Sequence, residues 1–288
     1  MLKSGTCSRF NIKCRHHVTR QYCHIGTRTI AYLDSAPGQT TLRTYVLLHA
    51  FPIGANLWEP QMRSIPPGWR LLTPDLRGFG GSTEMDSVSA MSISDYATDL
   101  VDLMDELGIA RAVVGGASMG GYATLALLPL AGDRVDGLVL ANTRAGADSP
   151  EARANRRSML ALVDREGPSG VARDMMPKLL GKTTRETNPD IEANVRRLIK
   201  QQSQAAIRGA IHRMMHRPDS TPLLSQVRVP TLVVTGDEDE LIPVDESRAI
   251  ASAVNGATLV VIPRAGHLSN LEQPDAFNHA LNAFLTKL

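Results

Sequence analysis

Short apolar runs alternate with amphipathic stretches along most of this chain. The runs at 27–33 (TRTIAYL), 45–49 (YVLLH), 70–73 (RLLT), 113–115, 138–141, 231–235 and 258–262 are each closed by turn residues. Continuous apolar runs of this length suit strands buried on both faces of a parallel sheet. Residues 92–107 instead have helical spacing, with Tyr96, Leu100, Leu103, Met104 and Leu107 on one face. Ser92 with Asp95 resembles a capping box there, and Gly108 ends the helix. A last helix follows Pro274, with Phe277, Leu281, Phe284 and Leu288 on one side. The alternation predicts an α/β fold, a mainly parallel sheet with helices on both faces.

Residues 144–219 break the alternation. They hold no convincing strand and no Phe, Tyr or Trp, but helical stretches at 153–165, 170–180, 189–202 and 205–216. The block is too long for a plain loop. It predicts a helical cap inserted in a core made of residues 21–143 and 220–288. Its excess of Lys and Arg reads first as a solvated face, and second as an attraction for acidic substrates.

Composition narrows the class. The 288 residues are 43% hydrophobic and 21% charged with a net charge of +2, as in a soluble globular protein with no call for nucleic acid. No apolar run approaches the roughly 20 residues of a membrane span. Residues 1–20 carry Lys3, Arg9, Lys13, Arg15 and Arg20, no acid and no apolar signal core, and read as a basic, poorly ordered arm. Cys7, Cys14, His16, His17, Cys23 and His24 fit no familiar zinc spacing, so no metal is expected. With no cysteine beyond residue 23, a disulfide framework is not expected and a reducing, cytoplasmic location is. Monomer and homodimer are both compatible with the chain.

The candidate chemistry lies in VVGGASMGGY (113–122). Gly116-Ala117-Ser118-Met119-Gly120 is G-x-S-x-G between a buried strand and a helical pattern, the context of a nucleophile elbow. A serine raised on a tight strand-to-helix turn leaves no room for side chains two residues either side, hence Gly116 and Gly120. Gly115 and Gly121 read only as easing the strand end and helix start. A phosphate loop would need a lysine, and a dinucleotide site an acid at the end of the next strand, where Asn142 stands.

A serine nucleophile needs a base and an acid that orients it, in the chain order Ser…Asp/Glu…His for this arrangement. Among eight histidines, His267 follows the strand TLVVI in a loop at its carboxyl end, where such folds place their chemistry. The acid comes from Asp237, Glu238, Asp239 or Glu240, which follow the strand at 231–235, with Asp239 and Asp237 the leading pair. Two backbone N–H groups must hold the developing oxyanion. Met119, directly after the serine, supplies one, and Phe51 in His49-Ala50-Phe51-Pro52 the other. An aliphatic pocket is expected, with Trp58, Met159, Met175, Met176 and Met214 as possible lining; most of these methionines, like Leu160, Leu179 and Met215, also fit the packed stripe of a helix.

HAFP (49–52), DLRGFGGS (75–82), GASMGG (116–121), GDEDELIP (236–243) and AGH (265–267) together resemble the α/β-hydrolase superfamily over nearly the whole chain after residue 25. Within it the resemblance runs to small bacterial carboxylesterases and 3-oxoadipate enol-lactonase-like hydrolases, with NTRAGADSPEARANRR (142–157) in support. It implies that Asp239, fourth in the G-x-x-D…P pattern, is the acid, and that Asp75 and Arg77 are structural. Ala50 stands where the family usually has glycine. Related epoxide hydrolases and haloalkane dehalogenases have an aspartate in place of the serine. The resemblance thus implies a cofactor-free serine carboxylesterase for small, short-chain esters. The alternatives are an enol-lactonase, a perhydrolase, or a non-enzymatic ligand receptor of the same fold.

Overall fold

The computed structural model describes residues 20–83 and 91–288. The strands β1 (Arg20–Ile25), β2 (Arg28–Asp34), β3 (Arg43–Leu48), β4 (Trp69–Pro74), β5 (Ala112–Ala117), β6 (Val135–Ala141), β7 (Thr231–Gly236) and β8 (Thr258–Ile262) form one sheet. Its order is β1-β2-β4-β3-β5-β6-β7-β8. The β1–β2 and β2–β4 pairs are antiparallel, and every neighbouring pair from β4 to β8 is parallel. Every residue of β4, β5 and β7 is buried, which is why these runs read as continuously apolar.

The helices are α1 (Glu59–Met62), α2 (Ser94–Glu106), α3 (Met119–Ala131), α4 (Pro150–Leu179), α5 (Lys182–Thr187), α6 (Pro189–Lys200), α7 (Gln204–Met215), α8 (Thr221–Leu224), α9 (Val244–Ala253), α10 (Ser269–Glu272) and α11 (Pro274–Leu285). The strand order reverses at β3, which lies between β4 and β5. Crossovers leave to opposite sides of the sheet at such a point, so a crevice opens at the carboxyl ends of β3 and β5. Phe51 follows β3 and Ser118 follows β5, one on each side of that crevice.

Helices α4 to α7 occupy the interval between β6 and β7 and pack on one another. The two helices expected at 153–165 and 170–180 are the two segments of α4, separated at Gly167, which leaves helical geometry at φ 60° and ψ −161° just before Pro168. Ser149, Asn188 and Ser203 accept backbone N–H groups at the starts of α4, α6 and α7. Among the described residues no helix is long and apolar enough to cross a membrane.

Arg20, assigned above to the N-terminal arm, belongs to the sheet. Arg20 opens β1, donates to Asn56 Oδ1 at 2.9 Å and forms an ion pair with buried Asp75. The strand escaped the periodicity because RQYCHI is an edge whose residues are half-buried or exposed, with no apolar face to betray it. Cys7, Cys14, His16 and His17 lie outside the described residues.

His49 ties the β3 loop to the β4 loop. It is fully buried; its Nδ1–H donates to the Ala50 carbonyl at 3.0 Å, and its Nε2 accepts from the Leu76 amide at 3.0 Å. Burial pushes its pKa down to about 4. The unfolded chain takes up this proton near pH 6.5, so below that the unfolded state binds more protons than the folded one. The stability held by a neutral His49 therefore declines from about pH 6.5 to pH 4, by roughly 3 kcal/mol in all. Urea unfolding across that range should show this slope in the native protein and a shallower one in His49→Gln.

Candidate active site

Ser118 sits between the last residue of β5 and the first of α3, at φ 53° and ψ −113°. A non-glycine residue costs of order 1–3 kcal/mol in such a conformation and persists only where its surroundings hold it. Here β6 and its exit do so: the Ser118 amide donates to the Ala141 carbonyl at 2.9 Å, and the Ser118 carbonyl accepts from Thr143 Oγ1 at 2.8 Å. The glycines make the close approach possible. A Cβ on Gly116 would meet the Gly120 backbone, and one on Gly120 the Leu48 carbonyl. Gly115 and Gly121 have the same purpose, facing Val139 and the Thr143 side chain, and are more than terminators of the strand and helix.

Asp239 and His267 are brought together from the loops after β7 and β8. His267 Nδ1 lies 2.9 Å from Asp239 Oδ2 and 3.1 Å from Oδ1, and both side chains are buried. The Leu241 and Ile242 amides each donate to Asp239 Oδ1 at 2.9 Å. Burial pushes the Asp239 carboxyl up, but the His267 charge and the hydrogen bonds from His267, Asn142 and Ile242 outweigh it and hold the group below the ordinary carboxylate range. Asp237 is exposed, and among the described residues its carboxylate accepts from the Ala265 amide, at 3.4 Å.

Two side chains passed over at the sequence level organise this pair. Asn142 has φ 47°; its Nδ2 donates to Asp239 Oδ2 at 2.8 Å and to the Gly266 carbonyl at 3.1 Å, and its Oδ1 accepts from Ser269 Oγ at 2.6 Å. Glu272 accepts the amides on both sides of His267, from Gly266 at 3.0 Å and Leu268 at 3.1 Å, and that of Gly181 at 2.7 Å. It thereby joins the His267 loop to the turn between α4 and α5. Burial raises its pKa despite these donors. Asn142 carried one signal, a polar residue ending a buried strand; Glu272 carried none, because its partners are backbone amides distant in sequence.

Phe51, Ser118 and His267 open on one cavity of about 550 Å³. Met119, whose amide belongs to the unbonded first turn of α3, lies directly beneath Ser118 in the chain. Met159, Met175 and Met214 line the cavity as expected of pocket residues. Trp58 and Met176 do not. Trp58 is fully buried against Phe277, with ring centroids 5.8 Å apart, and Met176 is packed in the core at 3% exposure. The expected aliphatic character is also corrected, since Arg144, Asp148, Arg156, Arg165, Asp174 and Lys178 all contribute to the wall. Helical spacing marks which residues face inward but not how far a long charged side chain reaches along a cavity.

The family model for the alpha/beta hydrolase fold matches residues 45–274, and the chain belongs to that family. Relatives place it with hydrolases of the esterase and enol-lactonase type. A thermophilic esterase from Thermogutta terrifontis, solved with malate bound, superimposes with a TM-score of 0.86 and 36% identity, covering 93% of this chain and 98% of the esterase. The 3-oxoadipate enol-lactonase 2 of Acinetobacter baylyi is 28% identical over 84% of this chain and 88% of its own. The putative carbamate hydrolase RutD of a Caulobacter species is 32% identical over 91% and 97%.

Proposed function

We propose that this chain is a serine carboxylesterase acting on small, short-chain carboxylic esters. The observation that carries the reading is the convergence of Ser118, Phe51 and His267 on one cavity, with Asp239 behind His267 Nδ1. Asp239 engages Nδ1 and leaves Nε2 as the nitrogen that takes the Ser118 Oγ proton. Oγ adds to the ester carbonyl, and the N–H groups of Phe51 and Met119 receive the oxyanion. Collapse expels the alcohol, which takes its proton from His267. Water, activated by the same imidazole, then releases the acid and restores Ser118. The helices between β6 and β7 act as the cap over this cavity. No step calls for a metal or organic cofactor. A cyclic ester would open by the same route, and the named enol-lactonase relative favours that as a second reading.

Incubation with diethyl p-nitrophenyl phosphate should place one diethylphosphoryl group on Ser118, with p-nitrophenyl butyrate turnover lost in parallel. The reading fails if peptide mapping finds the label elsewhere, or if acetate, butyrate and octanoate esters all go unhydrolysed. Release of a single equivalent without turnover would mark a receptor instead.

A further inference from the structure

The cavity wall is charged, yet most of its arginines are already matched. Arg156 Nε pairs with Asp148 Oδ2 at 3.0 Å, and Asp148 also takes Arg217 at 2.5 Å. Arg165 pairs with Glu166 at 2.9 Å. Lys178 is exposed and solvated. Arg144 differs. Among the described residues no carboxylate lies within ion-pair distance of it. Its Nη2 donates to the Leu241 carbonyl at 2.9 Å, while its buried Nε has no hydrogen-bond partner. A guanidinium offers five N–H donors in a planar fork suited to a carboxylate, and leaving such donors unmatched away from water is costly. Arg144 also stands two residues after Asn142, which holds Asp239, and shares the cavity with Ser118 and His267.

We infer, building on the esterase reading above, that the preferred substrates are half-esters of short dicarboxylic acids, whose free carboxylate is received by Arg144 while the ester carbonyl lies at Ser118. Water adds across the acyl C–O bond, the alcohol leaves with one of its protons, the other passes through His267 to solvent, and the product is the dicarboxylate. Arg144 and the nucleophile line one cavity of about 550 Å³, so a single substrate can present its carboxylate to the first and its ester carbonyl to the second.

Monoethyl succinate and monoethyl glutarate differ from ethyl butyrate and ethyl valerate by a carboxylate in place of the terminal methyl, and the four can be compared in a pH-stat. The native protein should prefer each half-ester by about 10-fold or more in kcat/KM, as a hydrogen bond to a charged group allows. Arg144→Met should collapse that ratio to one or below, chiefly through KM, and Arg144→Lys should keep part of it. Succinate should inhibit ethyl butyrate hydrolysis competitively, and more strongly than butyrate does. A native ratio at or below one overturns the inference, as does a ratio that survives in Arg144→Met. If the methionine variant does not fold, the native ratio and the inhibition by succinate decide the matter. Hydrolysis of neutral esters without preference defeats only this inference, whereas failure to hydrolyse any of the four esters defeats the esterase reading itself.

Discussion

Ser118→Ala should lose ester hydrolysis by roughly 10⁴- to 10⁶-fold in kcat while remaining folded. The Oγ atom is the bond-forming atom of the proposed mechanism, and no neighbouring hydroxyl shares its position on the turn. Removing it leaves no buried charge unpaired, and the backbone bonds to Ala141 and Thr143 stay in place. Alanine meets the same conformational cost as serine at φ 53°, so the melting temperature should move by only a few degrees. Turnover of p-nitrophenyl butyrate and a thermal melt on the same preparation check both halves. A variant keeping a tenth of native activity would mean that the nucleophile is another residue.

Asp239→Asn should cost about 10³- to 10⁴-fold in kcat with little change in KM. The carboxylate accepts from His267, Asn142, Leu241 and Ile242 at once. An asparagine can keep its oxygen toward the Leu241 and Ile242 amides, but its NH₂ group then faces two donors, Asn142 Nδ2 and His267 Nδ1–H. Relief comes from moving the imidazole proton to Nε2, the nitrogen that must accept from Ser118. Asp237→Asn makes no such demand, because Asp237 is exposed, and should stay within about twofold of native activity. Reversal of these two results would move the orienting acid to Asp237. Steady-state kinetics with p-nitrophenyl butyrate on both variants distinguishes the cases.

The legible parts were those whose cause is local. The runs at 45–49, 70–73, 113–115 and 231–235 fall on β3, β4, β5 and β7, because a strand covered on both faces must be apolar throughout. G-x-S-x-G was readable because the sharp turn and its close contacts constrain five neighbouring residues together. His267 was readable from its place after a strand. The choice between Asp237 and Asp239 was not readable from spacing, since both follow β7, and rested on the family resemblance, which favours Asp239. The tertiary structure separates them by burial: one loop turn carries Asp239 inward to His267 and leaves Asp237 in water.

Pocket lining was the least legible feature. Trp58 and Met176 looked like wall residues and are core, while the Lys and Arg of residues 144–219 read first as a solvated face, and Arg144 and Arg156 among them line the cavity. Which side of an inserted helix faces the cavity depends on how α4 lies against α6 and α7, a long-range packing outcome absent from any local window. Glu272 has the same character, as its role consists of accepting amides from Gly181, Gly266 and Leu268. The buried parallel strands, the elbow and the candidate nucleophile and base were readable from the chain alone, because each follows from burial or sterics within a few residues, whereas the edge strand β1 was not. The distance from Asp239 to His267, the groups that hold the pair, and the place in the cavity wall of Arg144, a guanidinium with no carboxylate partner among the described residues, come instead from contacts between segments that the chain order leaves free.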